Sequence, residues 1–299
     1  MIHLAAVVAL LSPTPTWTPG ERLEVIHEIE TTVSMTGGDA PIEVYRQETR
    51  RTTEQAMERT PEGTWVRITL SGIKGERRVP DGPQRLDVTT KTPLSALKGH
   101  AHSTQDREIL AQLGVPIEIR FDDTGRANAV RLPGDSAQRF QDRYAALAPP
   151  PDAPPPPSSE DPMIRLTDAR TWQQIRPISG PDTPTGSWQS ELILPSMFKG
   201  EVRQSRTYRP NGEDTFAVMG EGVLTGSWTL LAVVAEQSYR IEGEAEFDPT
   251  RRHWSKVEER WHIRAKIRAP RPPSAPKDAP LLTHRIMQMK ARFSRRLAR

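Results

Sequence analysis

Three groups of residues have types and spacings that chemistry can use. His100-Ala101-His102 puts two imidazoles on the same side of an extended segment, as a metal pair requires, and Asp106 follows within reach of them. A metal-dependent hydrolase working through His100 and His102 is therefore one function the sequence admits, although the histidines of a Gly-His-Ala-His-Ser run are more often solvated turn residues and a third ligand is not evident. Asp122-Asp123 with Gly125 has the acidity of a calcium loop, but Asp and Gly are also what a tight hairpin demands, and the spacing is not that of an EF-hand. Glu242, Glu244 and Glu246 alternate as a wet strand face does. Nothing in their neighbours would bury one carboxyl and separate two pKa values for acid–base work. His253 and His262 are nine residues apart and face opposite sides of any straight strand. The sequence has no nucleophile elbow, no phosphate-cradling Gly-rich loop, no dinucleotide fingerprint and no H-E-x-x-H. No catalytic residue, cofactor or resident metal is assigned, and the expectation is a protein that is not an enzyme.

Composition narrows the classes further. The 299 residues contain 29 Pro and no Cys, which removes disulfides, thiolate zinc sites, iron–sulfur clusters, a Cys nucleophile and a lipid-modified N-terminal cysteine together. Formal charge is +3, but six of the 41 bases lie in residues 281–299, where there is no acid. The rest of the chain carries more acid than base, so a nucleic-acid partner is not expected. Leu4 to Leu11 is an unbroken apolar run of eight, ended by Ser-Pro-Thr-Pro-Thr. That is the length of a secretory h-region and too short to span a bilayer. Residues 1–16 are expected to be a signal peptide and the protein to be exported, periplasmic or extracellular.

The elements that must position these groups read mainly as strands. Val66, Ile68 and Leu70 alternate with Arg67 and Thr69; Tyr239 to Phe247 and Trp261 to Ile267 alternate in the same way. A period of two writes an antiparallel sheet with one wet face. Further strands are expected at 23–33, 42–58, 86–90, 115–121, 187–194, 201–209, 215–219 and 223–235, with hairpin turns at 122–126 and 248–251. Helices are few: one from Ser103 and Asp106 to a stop at Gly114, one after Asp135 carrying Phe140, Tyr144 and Leu147, and one opened by Asp161-Pro162. The seven Trp residues suit a core or the lining of a hydrophobic cavity. The fold class is α+β, with antiparallel sheets of open or half-barrel type and a few covering helices.

Two Pro-rich spacers, 149–160 and 269–280, divide the chain. Across the first, Gly63-Thr64-Trp65 is answered by Gly186-Ser187-Trp188, Ile73-Lys74-Gly75 by Phe198-Lys199-Gly200, and Phe121-Asp122-Asp123-Thr124 by Phe247-Asp248-Pro249-Thr250. Ordered matches at nearly constant offset read as two related units, 17–148 and 161–268. After the second spacer, Leu282, Ile286, Met289, Phe293 and Leu297 are spaced by four, three, four and four, the stripe of an amphipathic helix. Arg285, Lys290, Arg292, Arg295 and Arg296 fill the remainder, so the tail 281–299 is expected to contact an anionic membrane or an envelope partner.

An export signal, paired G-[ST]-W segments, polar-alternating strands and F-D-x-T turns resemble bacterial exported proteins of unknown function. More loosely they resemble the periplasmic lipoprotein-carrier superfamily, over about residues 21–268. That resemblance implies an open half-barrel, covered by helices, that holds acyl chains. The duplication, the basic tail and the missing lipobox cysteine depart from it, and no functional residue carries over. The leading expectation is an envelope protein that binds a hydrophobic ligand or an envelope partner; the alternatives are the His100/His102 hydrolase and an assembly scaffold offering strand edges.

Overall fold

The computed structural model describes residues 16–37, 41–79, 82–101, 104–147, 162–173, 187–195, 199–227, 233–270 and 282–298. The apolar run Leu4 to Leu11, expected to belong to a signal peptide, and the polyproline spacer lie outside these residues. In chain order the elements are β1 (Arg22–Thr36), β2 (Ile42–Thr60), β3 (Gly63–Val79), β4 (Gly82–Thr89), α1 (Leu94–Lys98), α2 (Thr104–Gln112), β5 (Pro116–Phe121), β6 (Ala127–Arg131), α3 (Ser136–Ala146), α4 (Pro162–Thr167), a 3-10 turn (Ala169–Gln173), β7 (Trp188–Pro195), β8 (Lys199–Pro210), β9 (Thr215–Ser227), β10 (Val233–Asp248), β11 (His253–Pro270) and β12 (Leu282–Leu297). All twelve strands enter one antiparallel sheet in the order β6-β5-β3-β2-β1-β12-β11-β10-β9-β8-β7, with β4 also paired to β3.

Two expectations are corrected here. The C-terminal tail is not an amphipathic helix: Leu282–Leu297 is a strand, paired on one side to β1 and on the other to β11. Its side chains follow a period of two, with Met287, Met289, Ala291, Phe293, Arg295 and Leu297 buried in alternation. The helical stripe failed because two long strands each offered an unpaired edge, and the backbone bonds of two ladders outweigh the propensity of a Met-, Arg- and Lys-rich segment. The second correction is smaller: Thr215–Ser227 is one strand running through Gly220 and Gly222, whereas a break had been expected there. The halves of the chain form one sheet, and their matched segments fall at different places in it, Trp65 on the third strand and Trp188 on the first strand after the spacer.

Registers define two faces. One, called inner here, carries Val66, Ile68, Ile117, Ile119 and Phe121 in the first half, and α1, α2 and α3 pack Leu97, Ile109, Leu110 and Phe140 onto it. The sheet curls round this face until its edge strands β6 and β7 flank the same 3-10 turn. Gln173 from that turn accepts from Ala127 N–H at 2.6 Å, and Arg126 donates to the Glu191 carbonyl on β7 at 3.2 Å, so both edges are occupied. The F-D-x-T segments are hairpin turns as expected. Asp122 Oδ1 accepts from the backbone N–H of Thr124 and Arg126, and Asp248 Oδ1 from Thr250 and Arg251, which commits the Asp122 carboxylate to the turn.

A chain ended at Pro280 lacks β12 and exposes the edges of β1 and β11 together. The expected outcome is loss of the monomeric species in size-exclusion chromatography and of cooperative melting in far-UV circular dichroism; a soluble, cooperatively melting monomer would contradict the assigned pairing.

Candidate functional site

The middle of the inner face, away from the helices, is apolar. Tyr239 and Ile241 on β10, Trp261 on β11, and Met289, Ala291 and Phe293 on β12 are buried in one cluster, and Ile29, Val33 and Ile263 pack at its margin, half-buried. Among the described residues this cluster is built of strand side chains alone. The rings are in contact: Trp261 lies 4.4 Å from Phe293 and 5.7 Å from Tyr239, centroid to centroid, at tilted angles that suit aromatic quadrupoles. The alternation seen in the sequence at 239–247 and 261–267 accounts for β10 and β11. The β12 contribution was hidden by the helical reading of the tail.

Charged groups border the apolar patch on the same face. Arg206 of β8 and Glu259 of β11, 0% and 1% exposed, pair at 3.2 Å, and Trp261 Nε1–H donates to the same carboxylate at 2.8 Å. Three strand spacings separate β8 from β11, about 14 Å on a flat sheet. Contact is made because the lane between is empty: Gly220 stands opposite Arg206 and Gly243 opposite Glu259. A Cβ on Gly243 would fall 2.1 Å from the Glu258 carbonyl oxygen, and one on Gly220 2.6 Å from that of Ser205. Glu48 on β2 repeats the device, opposite Gly75. Burial pushes the Glu48 carboxyl up, but the Arg50 and Arg46 guanidiniums beside it more than offset this and hold it below the usual carboxylate range. Burial alone would lower Arg206, and Glu259 reverses that; burial also pushes the Tyr239 phenol far above its ordinary value.

A further buried pair ties the sheet together. Arg295 of β12 reaches across β1 to Glu54 of β2 at 3.1 Å, the two side chains 6% and 0% exposed. Beside it, His253 at the start of β11 is buried, with its ring 4.6 Å from Trp17 and its Nε2 3.0 Å from Glu21 Oε1. Burial lowers the His253 pKa, which Arg295 reinforces and Glu21 and Glu54 oppose. A small cavity of about 260 Å³ opens near this rim between Trp17, Arg59, Phe121 and Arg252; the Arg59–Asp123 ion pair at its mouth makes it too polar and too small for a lipid chain.

The other expected site residues are dispersed. His100 follows α1, its N–H donating to Leu97, and His102 lies outside the described residues. No group of three or more His, Asp or Glu is arranged to hold a metal ion among the described residues. His262 and Glu242 are on the outer face, opposite Arg240 and Arg260 respectively. Of the tail residues, Met289, Phe293, Arg295 and Leu297 are buried, Ile286 is half-buried, and Lys290 and Arg292 are exposed, with Arg296 43% exposed against Glu28. Leu282 and Arg285 enter the ladder opposite Pro270 and Ile267.

Neither the family models nor the curated proteins include a match to this chain. Among solved structures, a lipovitellin structure on lipid–protein interactions is similar over 95% of this chain at 8% identity and a TM-score of 0.46, and the chain spans only 26% of that protein's length. An outer membrane channel from Pseudomonas putida F1 matches over 98% of this chain and all of its own, at 7% identity and a TM-score of 0.24. Pseudomonas aeruginosa OccK2 in complex with glucuronate matches over 94% of this chain and all of its own, at 6% identity and 0.20. No helix among the described residues is long and apolar enough to cross a membrane.

Replacing Glu54 by Gln removes the negative charge facing the buried Arg295 guanidinium, and a loss of about 3–5 kcal/mol is expected, read as a fall in urea midpoint at unchanged slope; an unchanged midpoint would show that the pair is solvated. His253 titrates in the unfolded chain near 6.5 and at lower pH in the fold, so the unfolded state takes up the proton first. Stability is therefore full above that value and falls as pH drops below it. The expected melting temperature declines between pH 7.5 and 5.5 in the wild type and less steeply in His253→Gln.

Proposed function

We propose that this chain is an exported, non-enzymatic protein of the cell envelope that holds a hydrophobic ligand against the inner face of its curled sheet, while exposed bases of β12 contact a membrane or an envelope partner. The observation that carries the reading is the central apolar cluster. Trp261, Met289 and Phe293 sit in mid-sheet, and half-buried Ile29, Val33 and Ile263 rim them, with no helix side chain in the cluster among the described residues. Such a surface fits an aliphatic chain, since aromatic and Met side chains supply adaptable contact area without demanding hydrogen bonds.

The distribution of charge supports a carrier over a pore. Glu242 and Glu244 of β10, Arg260 and Arg264 of β11, and Lys290 and Arg292 of β12 all point outward and are exposed. A barrel crossing a membrane needs an apolar outer band, and this sheet is written the opposite way, apolar inside and charged outside. The half-barrel carrier resemblance agrees with that polarity. Export rests on the Leu4 to Leu11 run, and the paired F-D-x-T hairpins are read as traces of an ancestral duplication absorbed into one sheet.

Native mass spectrometry of the whole exported chain tests the ligand. Reproducible added masses matching lipids are expected, and Ile263→Asp, at the patch margin, should remove them while far-UV circular dichroism stays unchanged. A bare mass at every collision energy would overturn the proposal, as would adducts that persist in Ile263→Asp.

A further inference from the structure

On the outer face, β11 presents Lys256, Glu258, Arg260, His262, Arg264 and Lys266 in succession. Toward the Asp248 end these charges are answered: Lys256 pairs with Glu246 and Glu258, and Glu258 with Arg292. Farther along, basic residues also become cross-strand neighbours of one another. Arg260 stands opposite Arg292, and His262 stands opposite Lys290 on one side and Arg240 on the other. The acids here are Glu242, opposite Arg260 and 4.0 Å from Arg240, Glu221 on β9, opposite Arg240, Glu236, opposite Lys266, and Glu30 on β1, opposite Arg292. Among the described residues no carboxylate pairs with Arg260, Arg264 or Lys290, and all three are exposed.

Like charges placed directly opposite one another across a ladder destabilise it, so the arrangement carries a folding cost that an anionic partner would relieve. The geometry points to the outer face of β10, β11 and β12, with Arg260, Arg264 and Lys290 at its centre, as a docking surface for an anionic phospholipid membrane. The bases stand on a broad sheet face rather than in a groove, which suits a planar array of charges. Among the described side chains of this face of β10, β11 and β12 no phenyl, phenol or indole stands beside Arg260, Arg264 and Lys290, so the aromatic platform on which single-stranded nucleic acid stacks is not found there. Juxtaposed bases gain from a negatively charged leaflet through a field that extends about one Debye length and is screened by salt.

This inference rests on the membrane contact proposed for β12 and extends it to β11 and β10, where the sequence offered no reason to look. The test is co-sedimentation of the full chain with phosphatidylcholine vesicles and with vesicles containing 30% phosphatidylglycerol by intent of design, a composition on the order of natural anionic surfaces. Binding to the anionic vesicles alone is expected, lost at about 0.5 M salt, where the Debye length falls to a few Å. Arg260→Glu with Arg264→Glu should weaken it by at least about tenfold with the circular dichroism spectrum unchanged. Glu242→Gln should bind as well as the wild type or better. Equal binding to both vesicle types, or no binding to either, overturns the assignment. If the double variant binds like the wild type while Lys290→Glu does not, the β12 contact stands and the wider surface falls. Retained lipid adducts in a chain that ignores vesicles would separate this failure from failure of the ligand reading.

Discussion

The whole sheet depends on β12 lying between β1 and β11. It is the last strand in sequence, yet it occupies the centre of the order, and its ladders to β1 and β11 are what make the two halves of the chain one sheet. Each ladder closes backbone groups that would otherwise remain as open edges in the middle of the molecule. The buried Arg295–Glu54 pair crosses the same seam from β12 to β2, adding a contact that only one register can satisfy. A slip by one residue would turn Arg295 outward and put Arg296 into the interior. Charge thus fixes a register that the hydrophobic pattern of a Met- and Ala-containing strand specifies less sharply.

Buried ions in a β-interior need both a partner and room to reach it. Here the room comes from glycine. Glu48, Glu259 and Arg206 each face a glycine on the neighbouring strand, Gly75, Gly243 and Gly220, and the backbones approach so closely there that a methyl group would collide. The missing side chains leave room for long polar ones to meet across the sheet, as Arg206 and Glu259 do. Gly222 serves the same end, since a Cβ at that position would meet the Tyr239 ring at 2.7 Å.

The sheet itself separates two surfaces of opposite character. On one side, the centre of the inner face is aromatic and aliphatic; outside, the same strands alternate Glu, Arg and Lys. The two faces are interleaved residue by residue along each strand, so a single run such as Tyr239–Phe247 contributes to both the apolar lining and the charged exterior. This coupling would let the proposed ligand-holding interior and the proposed membrane-docking exterior share one thin sheet, without a separate domain for either.

The strands themselves were legible in the sequence. Alternation at 66–70, 239–247 and 261–267 gave the correct faces, and the F-D-x-T segments gave the correct hairpins, because period and turn chemistry are local properties that a few residues settle. The helices after Ser103 and Asp135 were legible for the same reason; the one opened by Asp161-Pro162 was legible only in part, since it ends at Thr167 and gives way to a 3-10 turn that carries Ala169 and Trp172. The tail was not. Leu282, Ile286, Met289, Phe293 and Leu297 suit a helix by spacing, whereas Met287, Met289, Ala291, Phe293 and Leu297 suit a strand, and a single segment holds both patterns. Only the presence of two unfilled edges elsewhere in the fold could choose between them. Nor could the sequence pair Glu54 with Arg295, 241 positions away, or show that Arg206 and Glu259 would meet over two glycines. Local composition determined which residues alternate and where the chain turns; the tertiary structure decided which strands are neighbours, because ladder pairing over such separations is set by the edges left open and by the charges that must be buried together.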